Sequence, residues 1–427
     1  MLHLRSAPTL IVGLLASSSI AFIPLHESSY QLTQDYSGRA FFDNFDFYHD
    51  ADPTMGHVKY VNMTTANSTS LAGHLIRVTN NGGPPPIFLG ADATVKAPTG
   101  RLSTRVYSKQ KFSRALVIAD ILHMPAPVCG TWPAFWMLGS GDTWPKAGEI
   151  DILENVNDVE ENRYTLHTTA GITVAPNSTF QDETGSGMRG NLLTGNCDVN
   201  APGQDRNAGC SVADFNGSSS YGTAFNNNSG GVFVTLIDDA GVRIWFFNRT
   251  SIPADIAAGT PYPPHIGNST IQLQASTWGV PNARFTGPSS AAISQHFRDM
   301  QIIFNIAFCG EWAGNVWSSS PTCSKLAPTC QDYVSNHPEA FEDAYWAIQS
   351  LKVYELKNGI NHTGCPSAML PPAPSFAAPS FAAASPVVPS PATPSLAAPS
   401  SVTPLPAASA SASASPAYDR RTLHADV

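Results

Sequence analysis

Charge is scarce in this chain of 427 residues. Only 13% are Asp, Glu, Lys or Arg, and the balance is a net −9. A surface so poor in cations draws neither nucleic acid nor an anionic membrane, which leaves a neutral ligand as the better fit. No apolar run reaches the ~18 residues that a spanning helix needs, so a membrane-spanning protein is not expected. Long amphipathic helices, sequence repeats and a phosphate-binding glycine loop are also missing, which removes the usual grounds for a helical bundle, a solenoid or a nucleotide site. Cysteines number seven: Cys129, Cys197, Cys210, Cys309, Cys323, Cys330 and Cys365. Their spacings match no zinc signature, and an odd number leaves at least one without an internal partner. Disulfides are the expected use, with Cys197–Cys210 closing a polar loop and Cys323–Cys330 a short one, both paired by proximity in the chain.

What is present begins with a targeting pattern. Met1 to Ala21 has a basic start at Arg5, an apolar run from Leu10 to Ala16, and Ser19-Ile20-Ala21 at the positions a signal peptidase reads. Secretion is therefore expected, with cleavage after about Ala21. Eight N-x-S/T triplets agree with N-glycosylation, at Asn62, Asn67, Asn177, Asn216, Asn227, Asn248, Asn268 and Asn361. From Pro366 to Pro416 the chain is nearly all Pro, Ala and Ser, a composition that builds no core and suits an O-glycosylated stalk. The end, Tyr418 to Val427, is charged and lacks the apolar tail of a lipid-anchor signal. One folded domain over 22–365 follows, with a disordered tail over 366–427. That is large for a single sandwich, and long loops around a cleft are expected to take up the excess.

Within the domain, apolar alternation separated by turn residues predicts strands. The candidates are His74–Thr79, Ser103–Ser108, Ala115–Leu122, Glu149–Glu154, Tyr164–Thr168, Val232–Ile237, Val242–Phe247, Met300–Phe308 and Ala347–Leu356. The pattern is that of an all-β, antiparallel sandwich. In Glu149-Ile-Asp-Ile-Leu-Glu154, three carboxylates alternate with aliphatic residues. A regular strand puts Glu149 and Asp151 on one face and Glu154 on the other. A β-bulge at Ile152 and Leu153 sets two residues opposite one and returns Glu154 to the acidic face. The two glutamates then stand roughly 13 Å apart at Cα. Leaning together, their carboxyls come within about 5 Å, the separation of retaining rather than inverting glycosidases. Asp151, one methylene shorter, lies between them where it can influence which carboxyl holds a proton. Trp132, Trp136 and Trp144 lie just upstream, and aromatic faces beside an acidic cleft suit sugar rings.

The segments CGTWPAFWMLG (Cys129 to Gly139), WPKAGEIDILENVN (Trp144 to Asn157) and YTLHTT (Tyr164 to Thr169) together resemble glycoside hydrolase family 16, in its fungal laminarinase-type endo-β-1,3(4)-glucanases. The likeness continues through TGNCDVN (Thr194 to Asn200), GVRIWFFNR (Gly241 to Arg249), FCGEWAG (Phe308 to Gly314) and AYWAIQSLKVYE (Ala344 to Glu355). The resemblance implies a β-jelly-roll sandwich of two antiparallel sheets with a concave cleft, and retaining hydrolysis of β-glucans. It also implies Glu149 as nucleophile, Asp151 as its assistant and Glu154 as acid/base, with the shorter motif ExDxE serving the same chemistry elsewhere in the family. Lone residues read blandly: His167 as a packed or solvated histidine, Arg105 as a surface strand arginine, Trp136 and Trp144 as core. By likeness they become cleft residues, joined by Trp312 and, through a weaker match in FFDNFDF, Asn44. No cofactor is expected. The family can carry a structural calcium, but no ligand spacing here identifies one. A monomer acting on β-glucan is expected, with a transglycosylase using the same carboxylates, or a non-catalytic jelly-roll lectin, as alternatives.

Overall fold

The computed structural model describes residues 30–75, 84–174, 187–259, 273, 275–286 and 290–356. Over these residues, segments rich in β-branched and aromatic side chains form eighteen strands. In chain order they are β1 (Tyr30–Asp35), β2 (Phe45–Phe47), β3 (Val58–Tyr60), β4 (Ala72–His74), β5 (Ile87–Gly90) and β6 (Arg101–Ser103). Then come β7 (Arg105–Ser108), β8 (Ala115–His123), β9 (Thr131–Gly139), β10 (Glu149–Glu154), β11 (Arg163–His167) and β12 (Asn191–Thr194). The last six are β13 (Cys210–Ala213), β14 (Gly231–Asp238), β15 (Gly241–Asn248), β16 (Ala283–Phe285), β17 (Met300–Phe308) and β18 (Tyr345–Leu356).

Two eight-stranded antiparallel sheets result. The first runs β16-β15-β14-β8-β18-β5-β4, with β1 also on β18, and the second runs β12-β13-β11-β10-β9-β17-β7-β2. Their facing sides share one core, in which Val117, Ala119, Ile121 and Phe233 of the first sheet join Phe135, Met137, Ile150 and Phe304 of the second. The first sheet is covered on its other side too. There Leu116, Ile118, Val234 and Trp245 pack with Ile256, Leu273 and Trp278. Strand β8 is consequently buried at every position, which is why its sequence, Asp120 and His123 apart, is apolar without alternation. The face left open belongs to the second sheet, and the alternation in β9 and β10 reports it.

Most predicted strands recur, β10 and β17 with the expected bounds. Ser103–Ser108 divides at Thr104, because β6 pairs in parallel with β3 whereas β7 joins β17. His74–Thr79 meets β4 only at His74, and 76–79 lie outside the described residues. Strand β9 has no counterpart among the predictions, and it carries Pro133 in its interior, where a proline is ordinarily excluded. Its position explains the tolerance: β10 ends opposite Ala134, so Pro133 has a strand neighbour only on the β17 side, at Ile306.

Among the described residues three disulfides form. Cys197–Cys210 is as expected, but Cys323 bonds Cys129 and Cys330 bonds Cys309, which corrects the Cys323–Cys330 pairing. Closeness in sequence misled here. The Trp317 indole N–H donates to Ala327 O at 3.1 Å and props the intervening turn, so Cys323 reaches the segment before β9 while Cys330, opening a helix, reaches the end of β17. Cys365, the signal-like segment and the tail lie outside the described residues.

Candidate active site

The entry to β10 requires glycine. Gly148 has φ +82, and a Cβ there would stand 1.9 Å from the His296 carbonyl oxygen. Beyond it, Glu149 pairs with Leu138, Asp151 with Trp136 and Glu154 with Ala134 on β9. Those partners are alternate residues of a regular strand, so the three acids share the open face. The register shifts between Asp151 and Leu153, leaving Ile152 as the extra residue. Ile150, Ile152 and Leu153 all point into the core. The expected bulge is therefore present.

Each carboxyl has a specific neighbour. The Trp144 indole N–H donates to Glu149 Oε2 at 2.6 Å, and that of Trp132 to Glu154 Oε1 at 2.7 Å. His167, which pairs with Glu149 from β11, brings Nε2 to 3.3 Å from Asp151 Oδ2. Its ring lies 6.2 Å from that of Trp144. Asp151 is buried, whereas the two glutamates are half-buried. Burial raises all three carboxyls to about 8, and the Asp151 charge adds to the rise on both glutamates. Carboxyls raised together in this way share protons, so that one can hold a proton while another is ionised, the pairing that a proton donor beside a nucleophile needs.

The same burial fixes a stability signature. A carboxyl whose folded pKa is raised holds its proton more tightly when folded. Its contribution is intact below the unfolded value near 4 and is lost as pH rises through about 8. Asp151→Asn, which carries no charge to bury, is expected to melt close to the unsubstituted protein at pH 4 and a few degrees above it at pH 8 to 9. Melting curves across that range check this, and a gap that does not widen with pH would refute it.

On the other side of β9 the open face continues into β17 and β7. Trp136 Nε1 donates to Asn305 Oδ1 at 2.6 Å, and Asn305 pairs with Arg105. Arg105 is not a surface arginine. It is buried, with its guanidinium carbon 5.0 Å from the Tyr48 ring centroid, 5.8 Å from Tyr60, 5.1 Å from Tyr107 and 5.1 Å from Trp136. Asp52 Oδ1 lies 3.6 Å away. Cation and aromatic walls thus fix one another. Near Glu154, Trp312 meets Trp132 edge to face at 5.7 Å, and the Arg163 guanidinium carbon lies 5.3 Å from the Trp312 ring centroid.

Glu149, Asp151, Glu154, Trp136, Trp144, His167, Arg105 and Trp312 are therefore connected through direct contacts or strand pairing. Asn44 is not brought to them. Its amide donates to Ala40 O at 2.7 Å, closing the single-turn helix Ala40–Asp43, and it precedes edge strand β2. Four strand spacings separate β2 from β10, roughly 19 Å. Its carboxamide shapes that turn. The sequence-based site also lacked Trp132 as a carboxylate partner, Asn305 and the tyrosines around Arg105. A period of two counted back from Trp136 reaches Trp132, and Asn305 is the polar interruption in the apolar run of β17.

The ligand atoms of Glu149, Asp151 and His167 lie within 4.8 Å of one another, close enough for a metal ion. Among the described residues the other such group is Cys129, Asp158 and Cys323, whose cysteines are joined in a disulfide. No oxygen-rich calcium cage stands out from either set.

The sequence model of the XgeA-like, catalytic GH16 domain matches residues 45–354. An endo-1,3(4)-beta-glucanase of Arthroderma benhamiae is 42% identical over 82% of this chain and 69% of its own length. The chain spans about half the length of several Aspergillus relatives it also matches. Among solved structures, GH16 laminarinase 16A of Phanerochaete chrysosporium, with β-glucans in donor and acceptor sites, is 36% identical with a TM-score of 0.64. That match covers 77% of this chain and all of the other. An elongating GH family 16 β-1,3-glucosyltransferase is 35% identical with a TM-score of 0.63, over the same shares.

Proposed function

The chain belongs to glycoside hydrolase family 16, in the group of XgeA-like catalytic domains, and from that membership we propose that it is an endo-1,3(4)-β-glucanase that hydrolyses β-glucans with retention of configuration. The observation that carries the reading is the row of Glu149, Asp151 and Glu154 on the open face, with an indole N–H on each glutamate. Trp144 occupies Glu149 Oε2, which leaves Oε1 as the attacking oxygen.

In the first step protonated Glu154 gives its proton to the departing glucosyl oxygen as ionised Glu149 attacks the anomeric carbon. The glycosidic bond breaks and an ester to Glu149 forms through an oxocarbenium-like transition state. In the second, Glu154 takes a proton from water, which displaces Glu149 from the anomeric carbon. Asp151 and His167 stand behind the nucleophile, and the tryptophans offer faces for glucosyl rings. No cofactor takes part. The targeting pattern at Met1 to Ala21 and the N-x-S/T triplets support a secreted, N-glycosylated protein, and the Pro, Ala and Ser composition after Cys365 supports a domain over 22–365 followed by a non-catalytic tail.

The test is proton NMR of laminarin hydrolysis from the first minutes. New reducing ends are expected as the β-anomer, with mutarotation following; α-anomer at the start would refute retention. Product profiles from laminarin, lichenan and a β-1,3/1,6-glucan then define linkage preference. The likeness to a glucosyltransferase makes transfer the second reading. Products longer than the supplied laminari-oligosaccharide, exceeding release of new reducing ends, would favour it.

A further inference from the structure

The bulge that brings Glu154 to the open face also breaks the strand ladder beneath it. Pairing of β10 with β11 runs from Glu149 with His167 to Asp151 with Thr165 and stops there. Glu154 N–H and Ile152 C=O are left without backbone partners on that side. Both are taken by one side chain. Asn162 Oδ1 accepts the Glu154 N–H at 3.0 Å, and Asn162 Nδ2 donates to the Ile152 carbonyl at 3.0 Å. A carboxamide carries the same donor and acceptor as a peptide unit, so Asn162 replaces the missing strand residue across the two ends of the bulge.

The bracket is itself anchored. Asn162 is 1% exposed and stands one residue before β11. Its carbonyl accepts the Asp214 N–H at 3.0 Å. Asp214 in turn accepts from the hydroxyls of Tyr164 at 3.0 Å and Ser218 at 2.7 Å, and from the Asn282 amide. On its other edge Glu154 pairs with Ala134 of β9, so Asn162 is what holds its main chain on the β11 side, and the link from Trp132 acts on the carboxylate alone.

We propose that Asn162 is the positioning residue for the acid/base of this site, holding the Glu154 backbone in register through the bulge. The proposal rests on the assignment of Glu154 above. It places the cost of losing Asn162 on proton transfer rather than on nucleophilic attack or glucan binding. A displacement of about 1 Å in a reacting group costs on the order of 10²-fold in rate.

The experiment compares laminarin, whose sugar leaving group needs a proton, with 2,4-dinitrophenyl β-laminaribioside, whose phenolate does not. Azide is added with the aryl glycoside so that the second step needs no base. Asn162→Ala is expected to lose about 10²-fold in kcat on laminarin with KM little changed, and less than about tenfold on the aryl glycoside. Rates are normalised to folded protein by near-ultraviolet circular dichroism. Asn162→Asp keeps the shape and the acceptor for Glu154 N–H but sets an oxygen against the Ile152 carbonyl. It is expected to show the same selective loss and serves if the alanine variant does not fold. Equal losses on both substrates, or no loss on either, would overturn the proposal. Glu154→Ala is measured beside them. An even loss in that variant would instead bring down the assignment of Glu154, and the role of Asn162 with it.

Discussion

Glu149→Gln and Glu154→Gln are each expected to keep the fold and lose hydrolysis of laminarin, by about 10⁴-fold for the nucleophile and about 10²- to 10⁴-fold for the acid/base. The amide nearly preserves shape and can still accept an indole N–H through its oxygen, so Trp144 and Trp132 retain partners. What it lacks is the carboxylate that forms the ester and the titrating proton that leaves with the aglycone. Azide separates the two roles. With Glu149→Ala it should attack the anomeric carbon once and give an α-glucosyl azide, an inverted product. With Glu154→Ala it should intercept the ester and give the β-azide. Reversal of those anomers would exchange the roles, and near-native turnover by Glu149→Gln would remove the nucleophile from this strand.

Changing the length of β10 should have effects nearly as large, and opposite changes should differ. Ile152 is the residue without a β9 partner, so deleting it restores a regular alternation: Glu149, Asp151 and Glu154 outward, Ile150 and Leu153 inward. The cost is a lost core side chain and the Asn162 bracket, about 2–5 kcal/mol for the side chain alone. An alanine inserted after Leu153 does the reverse, keeping the bulge but turning Glu154 inward to the buried place that Asn155 now holds. Burying an unpaired carboxyl costs several kcal/mol. The insertion is therefore expected to abolish hydrolysis and lower the melting temperature well below that of the deletion, which should keep measurable turnover. Melting curves and reducing-sugar release decide it. Hydrolysis by the insertion variant at or above the level of the deletion would contradict this account of the bulge.

What the sequence determined by itself was local and periodic. Alternation gave the sandwich, and the five-residue offset between Glu149 and Glu154 required a bulge if both acids were to share a face. The family motifs supplied roles that spacing cannot. Tertiary structure decided whatever depends on which strands become neighbours. Sequence order does not say that β17 lies between β9 and β7, yet that placement sets Asn305 against Trp136 across a separation of 169 residues. It also sets Arg105 within an aromatic wall drawn from four segments. The tolerance of proline in β9 and the partners of Cys323 and Cys330, paired wrongly by proximity, have the same cause: both are set by chain that is close only after folding. Asn162 sits at the boundary between the two. It is eight residues from Glu154, but its function exists only once the ladder between β10 and β11 has broken and left two backbone groups for its carboxamide to hold.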